Sequence, residues 1–396
     1  MFQFLKNLPA TLTRVTSGGR VIKEIDGLRF LAIFPVVVQH LSERFERYTA
    51  IQFTPGSEYQ FTHFVTNRGF IGVYIFFAIS GFILGLPFAA HSLHQGKKVE
   101  LKSYFWRRIT RLEPPYIIVM TIFAVAVVLM GFYTFQDIIP HYFSSIFYLH
   151  NILYKGWTFI NPPVWTLEIE VQFYILAPFL AMLLFKPKSA VLRRSLLIGF
   201  IAVIMLLQQH YQILHQFTKL TILGHLQFFL LGFIFADLYL NEWREGIRKH
   251  TLYNYTAILS FIAMILVWSW NQELINRIGF ITCLFVLFYS VFRATWVNRL
   301  ITLPWITAIG GMCYSIYLLH LPFIEFLIRV TKNIQVTSSF TINYIFQFII
   351  IAPILLAVSI GFYLLVEKPC MYKDWPQRLW KNIQTRFAVT SREEAQ

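Results

Sequence analysis

GFIGVYIFFAISGFILGLPFAA occupies residues 69–90, and not one of its side chains carries a formal charge. A hydrocarbon core about 30 Å thick is crossed by about 20 apolar residues in a helix. The stretch therefore reads as a membrane span. Gly69, Gly72, Gly81 and Gly85 within it are expected to let a neighbouring helix approach closely, and not to bind phosphate.

Moving outward, nine further runs of this kind appear, at about 25–41, 115–133, 164–185, 195–214, 221–240, 252–270, 276–293, 303–330 and 341–366. Composition agrees. Of 396 residues, 57% are apolar and only 13% charged, where a soluble domain carries about a quarter. Mean hydropathy is +0.57. The expected fold is all-α, a polytopic membrane bundle of about ten transmembrane helices. It divides into a basic N-terminal segment over 1–24, a membrane domain over 25–370 and a tail over 371–396. The first residues lack a signal-peptide pattern, so the N-terminal segment is expected to be retained. Cys283, Cys313 and Cys370 fit no disulfide framework.

The formal charge of +15 does not point to nucleic acid, because Lys and Arg cluster between the apolar runs. With the N-terminus inside, 26 of the 34 basic residues fall in alternate, cytoplasmic segments. Arg44, Arg47, Arg68, Lys155, Lys219, Arg277, Arg329 and Lys332 remain outside. A missed span would invert every later loop, so the bias supports the count. Both termini are expected to be cytoplasmic.

Ionisable groups within spans are costly and are functional candidates by default. Arg29 and His40 bound the first span. Eleven helical residues rise about 16 Å and return to within about 20° of the same face, so one stripe joins a cation to an imidazole. The plainer reading is an interfacial His and a basic anchor. Glu168 and Glu170 open the fourth span behind Trp165, and Glu170 shares a face with Thr166 and Tyr174. Glu170 is expected to be the better buried. His320, in the ninth span, taken alone reads as a helix-packing hydrogen bonder. Arg108 and Arg111 present two guanidinium groups on one face before the third span. They are either positive-inside anchors or a phosphate clamp. Glu367 closes the last span, as a cap or as a partner for one of these arginines. No metal-ligand spacing, Walker loop or nucleophile elbow is visible.

Taken in order, these segments resemble the acyltransferase family 3 of membrane proteins. The matches are Asp26-Gly27-Leu28-Arg29 followed by His40; Gly72-Val73 through Ser80-Gly81-Phe82; Arg107, Arg108, Arg111, Pro114 and Tyr116; Trp165-Thr166-Leu167 with Glu170, Gln172, Phe173 and Tyr174; Tyr314 to His320; and Val366 to Pro369. The resemblance spans Asp26 to Pro369. It implies an enzyme of the bacterial cytoplasmic (inner) membrane that moves an acyl group, often acetyl, from cytoplasmic acyl-CoA. The acceptor would be a hydroxyl of an envelope glycan or lipid-linked saccharide at the outer face. The chain ends soon after Pro369, so it is expected to be the form without an added SGNH-type esterase domain.

On this reading Arg108 and Arg111, with Arg29, hold the nucleotide phosphates. His40 is the general base or forms an acyl-His intermediate. Glu170 and Trp165 shape the acceptor side, and His320 and Glu367 support. There is one departure. Many relatives place Asp where Tyr74 stands, and that Asp is thought to orient the first-span His. Tyr can hydrogen-bond imidazole but supplies no negative charge. Tyr74 is expected beside His40; either Glu43, Glu46 or Glu58 substitutes for the missing carboxylate, or the His acts without one. Two alternatives are a transporter or flippase, which would also use intramembrane His and Glu, and a catalytically inactive relative.

Overall fold

The computed structural model describes residues 8–16, 21–49, 56–243, 246–372 and 374–377. The expected N-terminal segment and tail lie outside the described residues over 1–7, 17–20, 373 and 378–396, with Lys6, Arg20, Lys373 and the later basic residues. Arg244, assigned to an inside loop, also lies outside them.

The described chain is helical, with no strand among its described residues. Its helices are α1 Lys23–Tyr48, α2 Ser57–Thr66, α3 Ile71–His94, α4 Leu101–Leu129, α5 Phe135–Ile146 and α6 His150–Tyr154. They continue with α7 Trp165–Leu184, α8 Ala190–His210, α9 Leu226–Leu238, α10 Leu252–Val267 and α11 Leu274–Arg293. The last four are α12 Trp296–Ile301, α13 Pro304–Gly311, α14 Cys313–Thr331 and α15 Phe340–Phe362.

Among the described residues, eight helices are long and apolar enough to cross a membrane. Two of the ten expected spans fall short of that length. Helix α10 has 16 residues. Helix α9 has 13, is buried from Gln227 to Leu238, and so reads as apolar on every side. The run over 303–330 is not one helix but α13 and α14, separated at Met312.

Glycine sets the tightest contacts. A Cβ on Gly232 of α9 would collide with the backbone of α3 at Ala78, and one on Gly81 with the backbone of α9 at Phe229. Gly72 and Gly69 bring α3 equally close to α1 at Ala32 and Pro35. Helix α3 is thus held between α1 and α9, the packing role expected of its glycines.

Prolines supply a second kind of joint. A proline removes the hydrogen bond to the carbonyl four residues earlier, which must find another donor away from water. Pro178 frees the Tyr174 carbonyl, which accepts from Tyr104 Oη at 3.1 Å. Pro322 frees that of Leu318, which accepts from Asn161 Nδ2 at 2.9 Å. Pro114 frees that of Thr110, which accepts from Trp375 Nε1 at 2.9 Å. Each freed carbonyl ties its helix to another segment.

One charged pair lies deep in the bundle. Arg193 of α8, 1% exposed, donates from Nη2 and Nε to Asp237 of α9, which is fully buried. Arg193 Nη1 also caps the carbonyls of Pro187 and Lys188.

Candidate active site

At the far end of α1 from Arg29, His40 meets His320 of α14. His40 Nδ1 and His320 Nε2 are 2.8 Å apart, and His320 Nδ1 lies 2.7 Å from the Tyr317 carbonyl. The carbonyl can only accept, so His320 carries its proton on Nδ1 and its Nε2 is the acceptor. His40 must then donate from Nδ1. This leaves the lone pair on His40 Nε2, in a relay of two neutral imidazoles anchored on a backbone carbonyl.

His40 lines a cavity of about 30 Å³ with Gln39, Phe70, Val73, Trp165, Thr166 and Tyr317 among its walls. That volume admits a water-sized group or two. Tyr317 Oη donates to the Pro163 carbonyl and is 2.6 Å from Thr166 Oγ1. Gln39 is fixed on both sides, accepting from the Phe70 amide at 2.7 Å and donating to Glu43 at 2.6 Å.

Val73, not Tyr74, faces this cavity. Tyr74 lies in a second cavity with Trp268 and Arg277, its ring 4.3 Å from that of Phe228. The expectation that Tyr74 sits beside His40 is therefore corrected. Successive helical residues point about 100° apart, and this rotation carries position 74 to the α9 and α11 side of α3. The carboxylate substitutes are corrected as well. Glu43 is bonded to Gln39, Glu46 to Ser42 and His63, and Glu58 to Ser339 and the Thr341 amide at the start of α15. The neighbour of His40 is His320, which the sequence reading placed in support.

The two glutamates of α7 also exchange places. Glu168 is fully buried, where it accepts from the Asn151 amide at 2.8 Å and pins α6 to α7. Glu170 is less buried. It accepts from Ser80 Oγ of α3 and, at 3.1 Å, from Tyr174 Oη. It is within Coulombic reach of Arg108 and Arg111. Glu170 thus points toward the arginines and not into the His40 cavity, which Trp165 and Thr166 border. Thr166, Glu170 and Tyr174 stand one above another at four-residue spacing, about 6 Å per step. A polar file therefore runs from the His40 cavity to Tyr174, over whose ring the Arg108 guanidinium lies 5.4 Å from the centroid.

At that end the arginines differ. Arg29 is committed to Asp26, Nη1 to Oδ1 at 2.5 Å, with Arg14 at 3.4 Å from the same oxygen. Arg108 lies 3.5 Å over the Tyr104 ring and donates to the Tyr104 carbonyl at 2.8 Å. Arg111 has no ion pair among the described residues and its buried Nε has no acceptor. Glu367 is held by Ser315, whose amide and Oγ donate to Oε2 at 3.0 and 2.5 Å. It lies within Coulombic reach of Arg111 and Arg14. A single extended π turn, Tyr363–Glu367, brings it there. Arg14 was not singled out from sequence, and Asp26, Ser80 and Ser315 stood within the matched segments without roles of their own, since their partners are set only by helix packing.

A family profile described as an acyltransferase domain matches residues 22–364. The chain belongs to that membrane acyltransferase family. It is 27% identical over 335 residues to a provisionally named O-acetyltransferase of Staphylococcus aureus (strain COL), which covers 78% of this chain and 51% of the relative. It is 25% identical over 338 residues to the O-acetyltransferase OatA of Staphylococcus aureus (strain NCTC 8325 / PS 47), with the same coverage. The chain spans about half the length of these curated relatives. No solved structure matches it.

Proposed function

We propose that this protein is a membrane O-acetyltransferase of the cytoplasmic (inner) membrane, both of its termini cytoplasmic. It transfers an acetyl group from cytoplasmic acetyl-CoA to a hydroxyl of an envelope glycan or lipid-linked saccharide at the outer face. The observation that carries this reading is the relay from the Tyr317 carbonyl through His320 to His40, which leaves a basic nitrogen open to the cavity.

Arg111 and Arg108 hold the nucleotide phosphates of CoA, with Arg111 the stronger contact because it has no ion pair among the described residues. Arg29 positions Asp26 and does not bind donor directly. The pantetheine arm follows the file of Tyr174, Glu170 and Thr166. At the cavity His40 Nε2 takes the acceptor hydroxyl proton as its oxygen attacks the thioester carbon. The C–S bond then breaks, and the imidazolium returns the proton to the departing thiolate. Trp165 and Tyr317 shape the pocket around the acceptor.

His40→Ala should abolish acetyl transfer in membranes while acetyl-CoA still binds. Arg111→Ala should weaken acetyl-CoA binding by about tenfold or more, the loss of one charge-assisted contact. Retained transfer in the first variant, or unchanged donor affinity in the second, refutes the respective role.

A further inference from the structure

Arg277 of α11 is one of the few basic residues that the loop-charge pattern leaves outside, and it is only 5% exposed. Among the described residues it has no acidic partner. Its contacts are the Met205 carbonyl at 2.7 Å and Gln208 Oε1 at 3.4 Å. Its Nε is buried with no acceptor. A buried guanidinium without an anion is costly to maintain.

The same cavity is lined by Trp268, 3% exposed, whose buried indole N–H has only the Tyr74 hydroxyl as a near neighbour and no acceptor in good hydrogen-bond geometry. Tyr74, Ser269, Gln272 and Asn276 complete the polar lining. The uncompensated Arg277 cation and the Trp268 indole thus line, together with Tyr74, a void of about 10 Å³. That space fits a single water-sized group, such as a terminal oxygen of an oxyanion, and not a sugar ring. The wall is the turn Trp268–Glu273, where Gln272 takes a left-handed φ of 52° and Trp270 is 53% exposed. Phe70 joins this cavity to that of His40. It stacks on Trp165 at 5.6 Å and lies 6.1 Å from Trp268 and 5.8 Å from Trp270.

We propose that the Arg277 cavity is an oxyanion subsite, which holds a carboxylate or phosphate of the acyl acceptor while a nearby hydroxyl reaches His40. The acceptor is then an anionic saccharide. Only the word acceptor rests on the acetyltransferase reading; the anion site stands on its own geometry. Arg277 and Trp268 donate to the oxyanion, and the exposed Trp270 offers an aromatic face to the adjoining ring.

The test is calorimetric binding to the full chain in lipid nanodiscs, with three probes: methyl glucuronide, glucose 1-phosphate and neutral methyl glucoside. One anionic probe should bind about tenfold or more tightly than the neutral one, as a charge-assisted contact gives, and which one it is separates carboxylate from phosphate. Gln272→Glu, which adds a negative charge at the turn without touching the bonds of Arg277, should erase that preference. Gln272→Lys should preserve or increase it. Equal affinity for the three sugars, binding of none, or indifference to Gln272→Glu overturns the subsite and leaves Arg277 as a cap on the end of α8. Acetyl transfer is measured on the same preparations. Anion preference without transfer refutes the acetyltransferase reading alone, and transfer without anion preference refutes the subsite alone.

Discussion

Replacing His320 with Ala removes the acceptor for the 2.8 Å bond from His40 Nδ1 and leaves the His40 main chain untouched. A buried neutral hydrogen bond is worth about 1 kcal/mol, which by itself gives roughly a fivefold effect. The larger loss comes from the tautomer. Without His320 nothing confines the His40 proton to Nδ1, and a ring protonated on Nε2 cannot act as base. General-base catalysis is worth about 10²–10⁴ in rate, so kcat should fall by about a hundredfold, the lower of these bounds. The KM for acetyl-CoA should hold, because the arginines lie at the other end of the polar file. His320→Gln restores an acceptor of similar reach and should recover about tenfold of the loss, one hydrogen bond to the imidazole. The assay is incorporation of label from radiolabelled acetyl-CoA into membranes, normalised to folded protein by fluorescence-detected size exclusion. Wild-type activity in His320→Ala, or equal rates for the Ala and Gln variants, would refute the relay.

Two further outcomes follow from the remaining geometry. Arg193→Ala removes the three shortest side-chain bonds from an arginine to the fully buried Asp237, which keeps Arg194 at 3.5 Å and Asn241 at 2.9 Å, and should cost about 3 kcal/mol, read as a fall in melting temperature in detergent, whereas Asp237→Leu with Arg193→Met should recover much of it. In the segment between α4 and α7, His141 Nδ1 of α5 lies 2.8 Å from His150 Nε2 of α6, and His150 Nδ1 lies 3.2 Å from the Gly156 carbonyl. Burial lowers both imidazoles below their ordinary 6.5, with Asp137 partly opposing at His141, and the Gly156 carbonyl opposing and His141 adding at His150. The unfolded segment then binds protons that the folded segment refuses, so stability present above about pH 6.5 declines as pH falls through that value. Melting temperatures at pH 7.5 and 5.5 should differ in the wild type and converge in the double variant His141→Gln, His150→Gln; an unchanged difference would discard this origin.

Much of the architecture was legible because a bilayer imposes length and apolarity on every span, and residues 69–90 satisfy both without exception. What escaped has local causes. The run over 303–330 is apolar without a break until His320, yet Pro304 opens a new helix and Met312 divides the run, since composition does not record a bend. The His40 position could be found because Arg29 marks the same stripe. Its partner could not, since His320 lies 280 residues away and only packing of α1 on α14 joins them. Glu168 and Glu170 are indistinguishable by hydropathy. The Asn151 amide decides which is sealed in, and that contact crosses from α6. Tyr74 was displaced by one residue of helical rotation, a quantity that spacing within α3 fixes but that has no meaning until α1 and α9 take sides.

The relay beside His40 contains no carboxylate, and this bears on energetics beyond the chemical step. Two imidazoles and a carbonyl are uncharged at rest, and in the proposed reaction the proton that His40 borrows goes back to the leaving sulfur within the same turnover. The charged portion of the donor stays at the arginine mouth. Moving one elementary charge across the membrane is worth about 2.3 kcal/mol per 100 mV, but in the proposed reaction an acetyl group crosses without one. Turnover should therefore be blind to membrane voltage, and the enzyme would work equally in an energised cell and in a collapsed vesicle.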